Sequence, residues 1–273
     1  MTEKAYAKIN LFLDITGRRP DGYHEISSVM HTVSLCDDVS VAASDGITIE
    51  CDAPYVPCDE RNIAYKCAAA FFADTGIKGG VHIAIRKRIP SQAGLGGGSA
   101  DGAAVLRALD RIYCTGLSHE RLCSIAAMCG ADIPFCISGG CAYCGGIGEI
   151  MTPLPAKKGA VVIAKGSDGI STGRAYEKTD ALGIRGHIGR EAVISAFSEG
   201  IQESLMYNFF EEVADNEDVV KIKRILSLKS SKVMMTGSGS AVFGIFGDAD
   251  TASDISQRLG AEGYFSGAYE LIG

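Results

Sequence analysis

The sequence predicts an α+β protein in two lobes, and three features of the chain lead to this prediction. Residues 1–60 are rich in alternating and β-branched segments, which is typical of strands. The middle of the chain alternates helical patterns with a strand-like segment. The C-terminal segment, residues 231–272, has the order strand, turn, strand, helix, strand. Two prolines in "MTPLPAKKG" indicate a boundary between an N-terminal lobe, residues 1–153, and a C-terminal lobe, residues 154–273.

Composition limits the kinds of partner. The chain has 273 residues, of which 47% are hydrophobic, and is long enough to bury a large core. Its formal net charge of −7 argues against a general nucleic-acid or anionic-membrane binder and favours small-molecule ligands. Because Glu3 and Lys4 precede a short strand-like segment and no apolar leader is found, we expect a cytoplasmic protein.

The ten cysteines lie in apolar segments of a chain that is large enough to need no disulfides, so most are predicted to be buried thiols. Cys141 and Cys144 form one C-x-x-C pair, which is weak evidence for zinc. The sequence therefore identifies no metal ligand.

The remaining elements follow from local patterns. Strands are predicted in "AYAKINLFLDI", "VMHTVSLC", "DVSVAA", "GITIEC" and "VHIAIRKRI". A helix in "NIAYKCAAAFFADTG" is predicted to end at Gly76, and one in "SHERLCSIAAMCG" to begin after Ser118 and end at Gly130. In the second lobe, "AVVIAKG" is predicted to be a buried strand, and helices are predicted within 172–182, 189–199, 201–215 and 217–228.

The stretch "IPSQAGLGGGSADG", residues 89–102, places five glycines before and into the helical pattern "AAVLRALDRIY". Glycine lets backbone N–H groups approach a ligand, and the N-terminus of a helix attracts anions. Ser99 and Asp101 are candidate helix caps. The stretch therefore predicts a phosphate-binding loop, although it matches neither the P-loop nor the dinucleotide-binding pattern.

Three stretches occur in the order typical of one superfamily: "AKINLFLDITGRRPDGYHEI", "PSQAGLGGGSADGAA" and "MTGSGSAVFGIF". With them the chain resembles the GHMP kinases, which include galactokinase, homoserine kinase, mevalonate kinase and phosphomevalonate kinase. The resemblance implies a two-lobed fold, with an N-terminal ATP-binding lobe like ribosomal protein S5 domain 2 and a ferredoxin-like C-terminal lobe. It also implies ATP and Mg²⁺ as cofactors for phosphoryl transfer to a small alcohol.

Four further segments, "RPDGYHE", "GADIPF", "GGIGE" and "GIST", resemble the branch of the superfamily that acts on CDP-methylerythritol. This resemblance implies phosphorylation of the tertiary 2-hydroxyl of that substrate, a step of non-mevalonate isoprenoid biosynthesis. Two alternatives remain open: a kinase for another small alcohol, such as mevalonate or homoserine, and a non-catalytic ligand sensor on the same fold.

The resemblance also implies roles for single residues. Asp132 is the expected acceptor of the proton of the substrate hydroxyl, and the ammonium of Lys8 is expected to hold Asp132 ionised. The implied ATP-binding residues are Pro90, Gln92, Ala93, Gly94, Leu95, Gly96, Gly97, Gly98, Ser99 and Ala100. The implied substrate-binding residues are Asn10, Tyr23, His24, Thr172, Tyr176, Gly237, Ser238 and Gly239.

Tyr23 and His24 are expected to stack on and hydrogen-bond a cytosine. Thr172 and Tyr176 are spaced to share one helical face, so Tyr176 is expected either to cover the base or to pack in the core. The chain departs from the family pattern at Ala100, where a second serine is more usual, which removes one possible phosphate donor.

Overall fold

The computed structural model describes residues 1–183, 186 and 188–273. Its strands are β1 Thr2–Arg18, β2 His24–Ser44, β3 Ile47–Cys51, β4 Gly80–Arg86, β5 Cys141–Gly145, β6 Ile150–Leu154, β7 Ala160–Lys165, β8 Lys232–Met235, β9 Val242–Phe246 and β10 Phe265–Glu270. Its α-helices are α1 Ile63–Thr75, α2 Gly97–Ile112, α3 His119–Ala127, α4 Ile133–Ser138, α5 Thr172–Leu182, α6 Arg190–Glu199, α7 Glu217–Leu226 and α8 Ala249–Ala261. No helix within these ranges is both long and apolar enough to cross a membrane.

The described residues form two compact units, each made of several segments. The first unit comprises residues 1–7, 35–89 and 96–139, and the second comprises residues 8–34, 90–95 and 140–273. The limits fall inside β1 and β2, so each of these strands contributes to both units. The division into family lobes at residues 153 and 154 stays a prediction.

In the first unit, β4 lies between β3 and the C-terminal half of β2. β3 runs parallel to β4, with Ile47 opposite Val81, and parallel neighbours need a long crossover connection, here containing α1. The Asn62 side chain caps the first turn of α1. The helix ends at Gly76, as predicted, and the φ of this glycine is 68°, in the left-handed region. Helices α2 and α3 pack with α1 and with each other, and α4 packs with α2 and α3.

In the second unit, four strands form an antiparallel sheet in the order β10, β7, β9, β8, and α7 and α8 pack against it. Leu13, Ile15 and Ile26 complete the buried apolar core of this unit. The N-terminal half of β2 pairs with β5, and β5 pairs with β6. The predicted C-terminal order of strand, turn, strand, helix and strand is confirmed.

The predicted helix over residues 201–215 is wrong. This segment forms two short 3₁₀ helices, Glu203–Leu205 and Phe209–Glu212. Between them the backbone is extended at Asn208, which forms a bridge to Leu13 of β1. The tertiary pairing of this residue interrupts the helical pattern that the local sequence favours.

The predicted start of α2 and the predicted end of α3 also differ from the structure. Helix α2 already begins at Gly97, so Ser99 and Asp101 lie inside it and do not cap it. Helix α3 begins after Ser118 as predicted but ends at Ala127, before Gly130.

Candidate active site

The glycine-rich stretch leads directly into α2. The N-cap position is Gly96, with a left-handed φ of 69°, and it has no side chain that could accept a hydrogen bond from the first turn. The first N–H groups of a helix need an external acceptor, and they lie at the positive end of the helix dipole. An uncapped start of this kind is suited to an anion such as phosphate.

The first glycine loop, residues 90–95, packs backbone to backbone against the second one, residues 236–239. A Cβ at Gly94, whose φ is +72°, would lie 2.0 Å from the carbonyl oxygen of Thr236. A Cβ at Gly237 would lie 2.9 Å from the carbonyl oxygen of Gly94. The two loops are joined further along by a hydrogen bond from Ala241 N to Ala93 O, at 3.2 Å. Only glycine at position 94 permits this approach.

Lys8 lies beside these loops in the second unit, and its residue is only 4% exposed. Its backbone N–H donates to Leu95 O at 3.0 Å, and its ammonium donates to Asn10 Oδ1 at 2.8 Å. The predicted placement of Lys8 and Asn10 on one strand face is therefore confirmed.

A hydroxyl fixes Asn10 in turn. Thr236 is fully buried, and its Oγ1 accepts from Asn10 N at 3.0 Å. The same hydroxyl has two possible acceptors at 3.3 Å, Asn10 Oδ1 and Gly94 O. The amide nitrogen of Asn10 donates to Ser28 Oγ at 2.9 Å. One threonine thus connects the strand that carries the lysine to both glycine loops.

Asn208 holds the second glycine loop from the other side. Its Nδ2 donates to Met235 O at 2.7 Å and to Gly237 O at 2.9 Å, and its Oδ1 accepts from Phe210 N at 3.0 Å. The side chain is buried and fully used. Sequence analysis assigned Asn208 no role beyond membership of the helix predicted over residues 201–215.

An imidazole and aromatic rings form a second cluster in the same unit. The rings of His24 and Tyr176 stack, with centroids 4.5 Å apart and planes 19° apart, and Tyr176 meets Phe210 edge-on. Tyr176 therefore packs on the imidazole and the core, while Tyr23 is 60% exposed. Thr172 in α5 lies 2.9 Å from Ser238 of the second glycine loop, hydroxyl to hydroxyl.

A carboxylate that sequence analysis missed completes this cluster. Asp180 Oδ1 lies 2.7 Å from His24 Nε2, and its Oδ2 lies 3.1 Å from an Arg18 nitrogen. The hydrogen bond from His24, aided by the charge of Arg18, lowers the pKa of Asp180. The only local signal was its position one turn after Tyr176 in an amphipathic helix.

In the first unit, Asp132 is half-buried and occupies the N-cap position of α4, ahead of Pro134. Beneath the start of α2, Lys87 donates to Asp37 at 2.5 Å and to Asp101 at 2.7 Å, and all three side chains are largely buried. Burial raises the pKa of Asp101 to about 7. The positive charge of Lys87 opposes this shift, and the negative charge of Asp37 adds to it.

The chain matches the model of the GHMP kinase N-terminal domain over residues 62–140 and that of the GHMP kinase C-terminal domain over residues 195–264. The chain belongs to the GHMP kinase family. The GHMP kinase fold expected from the sequence is thereby confirmed, and kinase activity with ATP and a small-molecule acceptor follows from the membership.

This GHMP kinase is similar over nearly its whole length to relatives that share one name. It is 44% identical to 4-diphosphocytidyl-2-C-methyl-D-erythritol kinase of Carboxydothermus hydrogenoformans, over 93% of this chain and 91% of the relative. It is 39% identical to the enzyme of the same name from Clostridium perfringens, over 98% and 96%.

Solved structures of GHMP kinases are also similar to this chain. A crystal structure of 4-(cytidine 5'-diphospho)-2C-methyl-D-erythritol kinase matches with a TM-score of 0.85 and 33% identity, over the whole of both chains. Mevalonate kinase of Methanococcus jannaschii matches with a TM-score of 0.73 at 12% identity, over 100% of this chain and 98% of that one, which shows the shared fold alone.

Proposed function

We propose that this kinase transfers the γ-phosphoryl group of ATP to the 2-hydroxyl of 4-diphosphocytidyl-2-C-methyl-D-erythritol. The observation that carries the proposal is the near full-length similarity to the Carboxydothermus enzyme of that name, at 44% identity. The uncapped start of α2 suits phosphate binding, and the stacked rings of His24 and Tyr176 are side chains of the kind that bind a pyrimidine.

In the proposed reaction, Asp132 accepts or orients the proton of the attacking hydroxyl. The ammonium of Lys8 favours the ionised form of Asp132 and holds the hydroxyl in line. Phosphoryl transfer asks mainly for positioning and charge stabilisation, so the network that fixes Lys8 through Asn10 and Thr236 serves the chemistry directly. The two glycine loops supply backbone N–H donors to the phosphates.

Mg²⁺ fits the residues as a companion of the nucleotide. In residues 1–183, 186 and 188–273 no group of three or more His, Cys, Asp or Glu side chains is placed to hold a metal. A Mg²⁺ ion that is bound through phosphate oxygens needs only one or two protein ligands. The hydroxyl of Ser99, in the first turn of α2, is the candidate ligand there, and the ion would neutralise charge on the phosphates.

The proposal is tested by ADP release with three acceptors: the cytidylated methylerythritol, mevalonate and homoserine. We expect ADP release only with the first. No release with any acceptor would favour the ligand sensor, and release with mevalonate or homoserine would identify another small-alcohol kinase.

The assignments of Lys8 and Asp132 are tested by Lys8→Ala and Asp132→Ala. Each is expected to lower turnover by a factor of about 10² or more, since a positioned proton acceptor contributes roughly 10²–10⁴. Exposed residues provide matched controls, Lys229→Ala and Asp254→Ala, which should turn over like the parent protein. Near-normal kinetics in a folded Lys8→Ala or Asp132→Ala protein would refute that assignment.

A further inference from the structure

Asp180 contacts one of the two ring nitrogens of His24. The carboxylate lies in the last turn of α5, and both of its oxygens are engaged, Oδ1 with His24 Nε2 at 2.7 Å and Oδ2 with Arg18 at 3.1 Å. Arg18 is always a donor, and an ionised carboxylate only accepts hydrogen bonds. The imidazole must therefore carry its hydrogen on Nε2 to make this contact.

A hydrogen on Nε2 leaves Nδ1 of a neutral imidazole as an acceptor. Within the described ranges of the chain, Nδ1 has no hydrogen-bond partner. Nδ1 is also not fully buried, because in those ranges the fully buried side-chain N and O atoms that lack a partner belong to Ser27 and Asp101. Nδ1 is thus an acceptor that is not completely enclosed by the protein.

The ring that carries this lone pair cannot easily turn. One face of His24 stacks on Tyr176, which in turn packs against Phe210 in a T-shaped arrangement at a centroid distance of 5.0 Å. The His24 side chain is only 8% exposed. Rotation of the imidazole by half a turn would break the contact with Asp180 and expose the carboxylate without its donor.

We propose that Asp180 is a specificity-determining residue that makes His24 present an acceptor and thereby selects a base with an amino group over one with a carbonyl group. Cytosine has an exocyclic amino group, where uracil has an oxygen that would face the Nδ1 lone pair. This inference rests on the proposed function, because it takes the ligand to be a pyrimidine nucleotide read by His24. Asp180 positions His24 and is not itself a ligand contact.

The size of the effect follows from one hydrogen bond. A lost bond that leaves a desolvated acceptor facing another acceptor weakens binding by about 10- to 100-fold. We therefore expect the parent protein to bind CDP at least about tenfold more tightly than UDP.

Asp180→Asn is the sharpest variant, because Arg18 decides how the amide is oriented. Arg18 donates, so it takes the amide oxygen, and the amide NH₂ then faces Nε2 of His24. Nε2 becomes the acceptor and Nδ1 gains the hydrogen, so the ring edge now favours a carbonyl. The CDP to UDP preference should fall to within about threefold or invert. Asp254→Asn, on the exposed face of α8, removes the same charge and should keep the parent preference.

Two measurements at pH 8 test the inference. Isothermal titration with CDP and with UDP gives the preference, and ¹⁵N chemical shifts of the imidazole show which nitrogen carries the hydrogen. A hydrogen on Nδ1 in the parent protein would overturn the inference without any variant, as would an unchanged preference in Asp180→Asn. ADP release with the cytidylated methylerythritol separates the two proposals: turnover with an unchanged preference refutes only the role of Asp180, whereas absence of turnover and of CDP binding refutes the proposed function and this inference with it.

Discussion

Replacing Asn208 by Asp isolates the energy of the clamp on the second glycine loop. The two side chains have nearly the same shape, and an Asp oxygen can still accept from Phe210 N as the Asn oxygen does at 3.0 Å. The change removes only the NH₂ group, which donates to Met235 O at 2.7 Å and to Gly237 O at 2.9 Å.

The magnitude follows from two carbonyl groups losing their donor at a position that is 2% exposed. Each unsatisfied buried group costs about 1–3 kcal/mol, and a carboxylate oxygen facing them adds repulsion, so Asn208→Asp should lower the free energy of unfolding by about 2–6 kcal/mol. That is a large part of the roughly 5–15 kcal/mol that stabilises a typical domain. Turnover should also fall, because Gly237 lies in the loop that packs on Gly94.

Asn216→Asp is the matched control. Asn216 is the N-cap of α7, and among the described residues its side chain is used only through its oxygen, which accepts from Val219 N at 3.1 Å. Asp is an equally good N-cap and its charge suits the helix dipole, so this change should move the free energy of unfolding by no more than about 0.5 kcal/mol. Urea unfolding of both variants provides the comparison. Equal midpoints for Asn208→Asp and Asn216→Asp would refute the clamp.

Two further predictions concern the glycine loop and the buried charges. Gly94→Ala should destabilise the fold and impair turnover, because its Cβ would lie 2.0 Å from Thr236 O. Gly76 has a similar positive φ but open space around it, so Gly76→Ala should lower the free energy of unfolding by only about 1–2 kcal/mol. Thermal melts of the two variants provide the comparison. Folding raises the pKa of Asp101 from its ordinary value of 3.8 to about 7. Between these two pH values the carboxyl therefore keeps its proton in the folded protein and has lost it in the unfolded chain. This stabilises the fold at low pH and is lost as pH rises through 7, so Asp101→Asn should flatten that part of the urea-midpoint profile against pH, and an unchanged slope would contradict the pKa shift.

Much of the fold was predictable because its signals are local. The strand pattern around Lys8, the Gly76 end of α1 and the Ser118 cap of α3 depend on residues within one or two turns of one another. Gly94 was likewise recognisable as part of a phosphate loop. Sequence alone gave no reason, however, why position 94 must be glycine, because the obstacle is a carbonyl oxygen of Thr236.

The contacts that position the candidate site were not predictable in this way. Thr236 meets Asn10 across 226 residues of sequence, and Asp180 meets His24 across 156. A Thr or Asp in a polar segment has the same local sequence pattern whether its side chain contacts solvent or a distant residue. The same limitation explains the wrong helix over residues 201–215, where Asn208 is used for tertiary hydrogen bonds.

The start of α2 shows why a wrong local prediction can still point to the right chemistry. A Ser or Asp at the N-cap would have fixed this helix by accepting from its first N–H groups, and those donors would then be unavailable to phosphate. The protein instead has Gly96 at the N-cap and fixes the helix from below, through the 2.7 Å hydrogen bond that Lys87 donates to Asp101 in the second turn. The position of the helix is thus secured without use of its N-terminal donors. Introducing Ser at position 96 would supply a competing acceptor at the place where the phosphate oxygens are expected to bind.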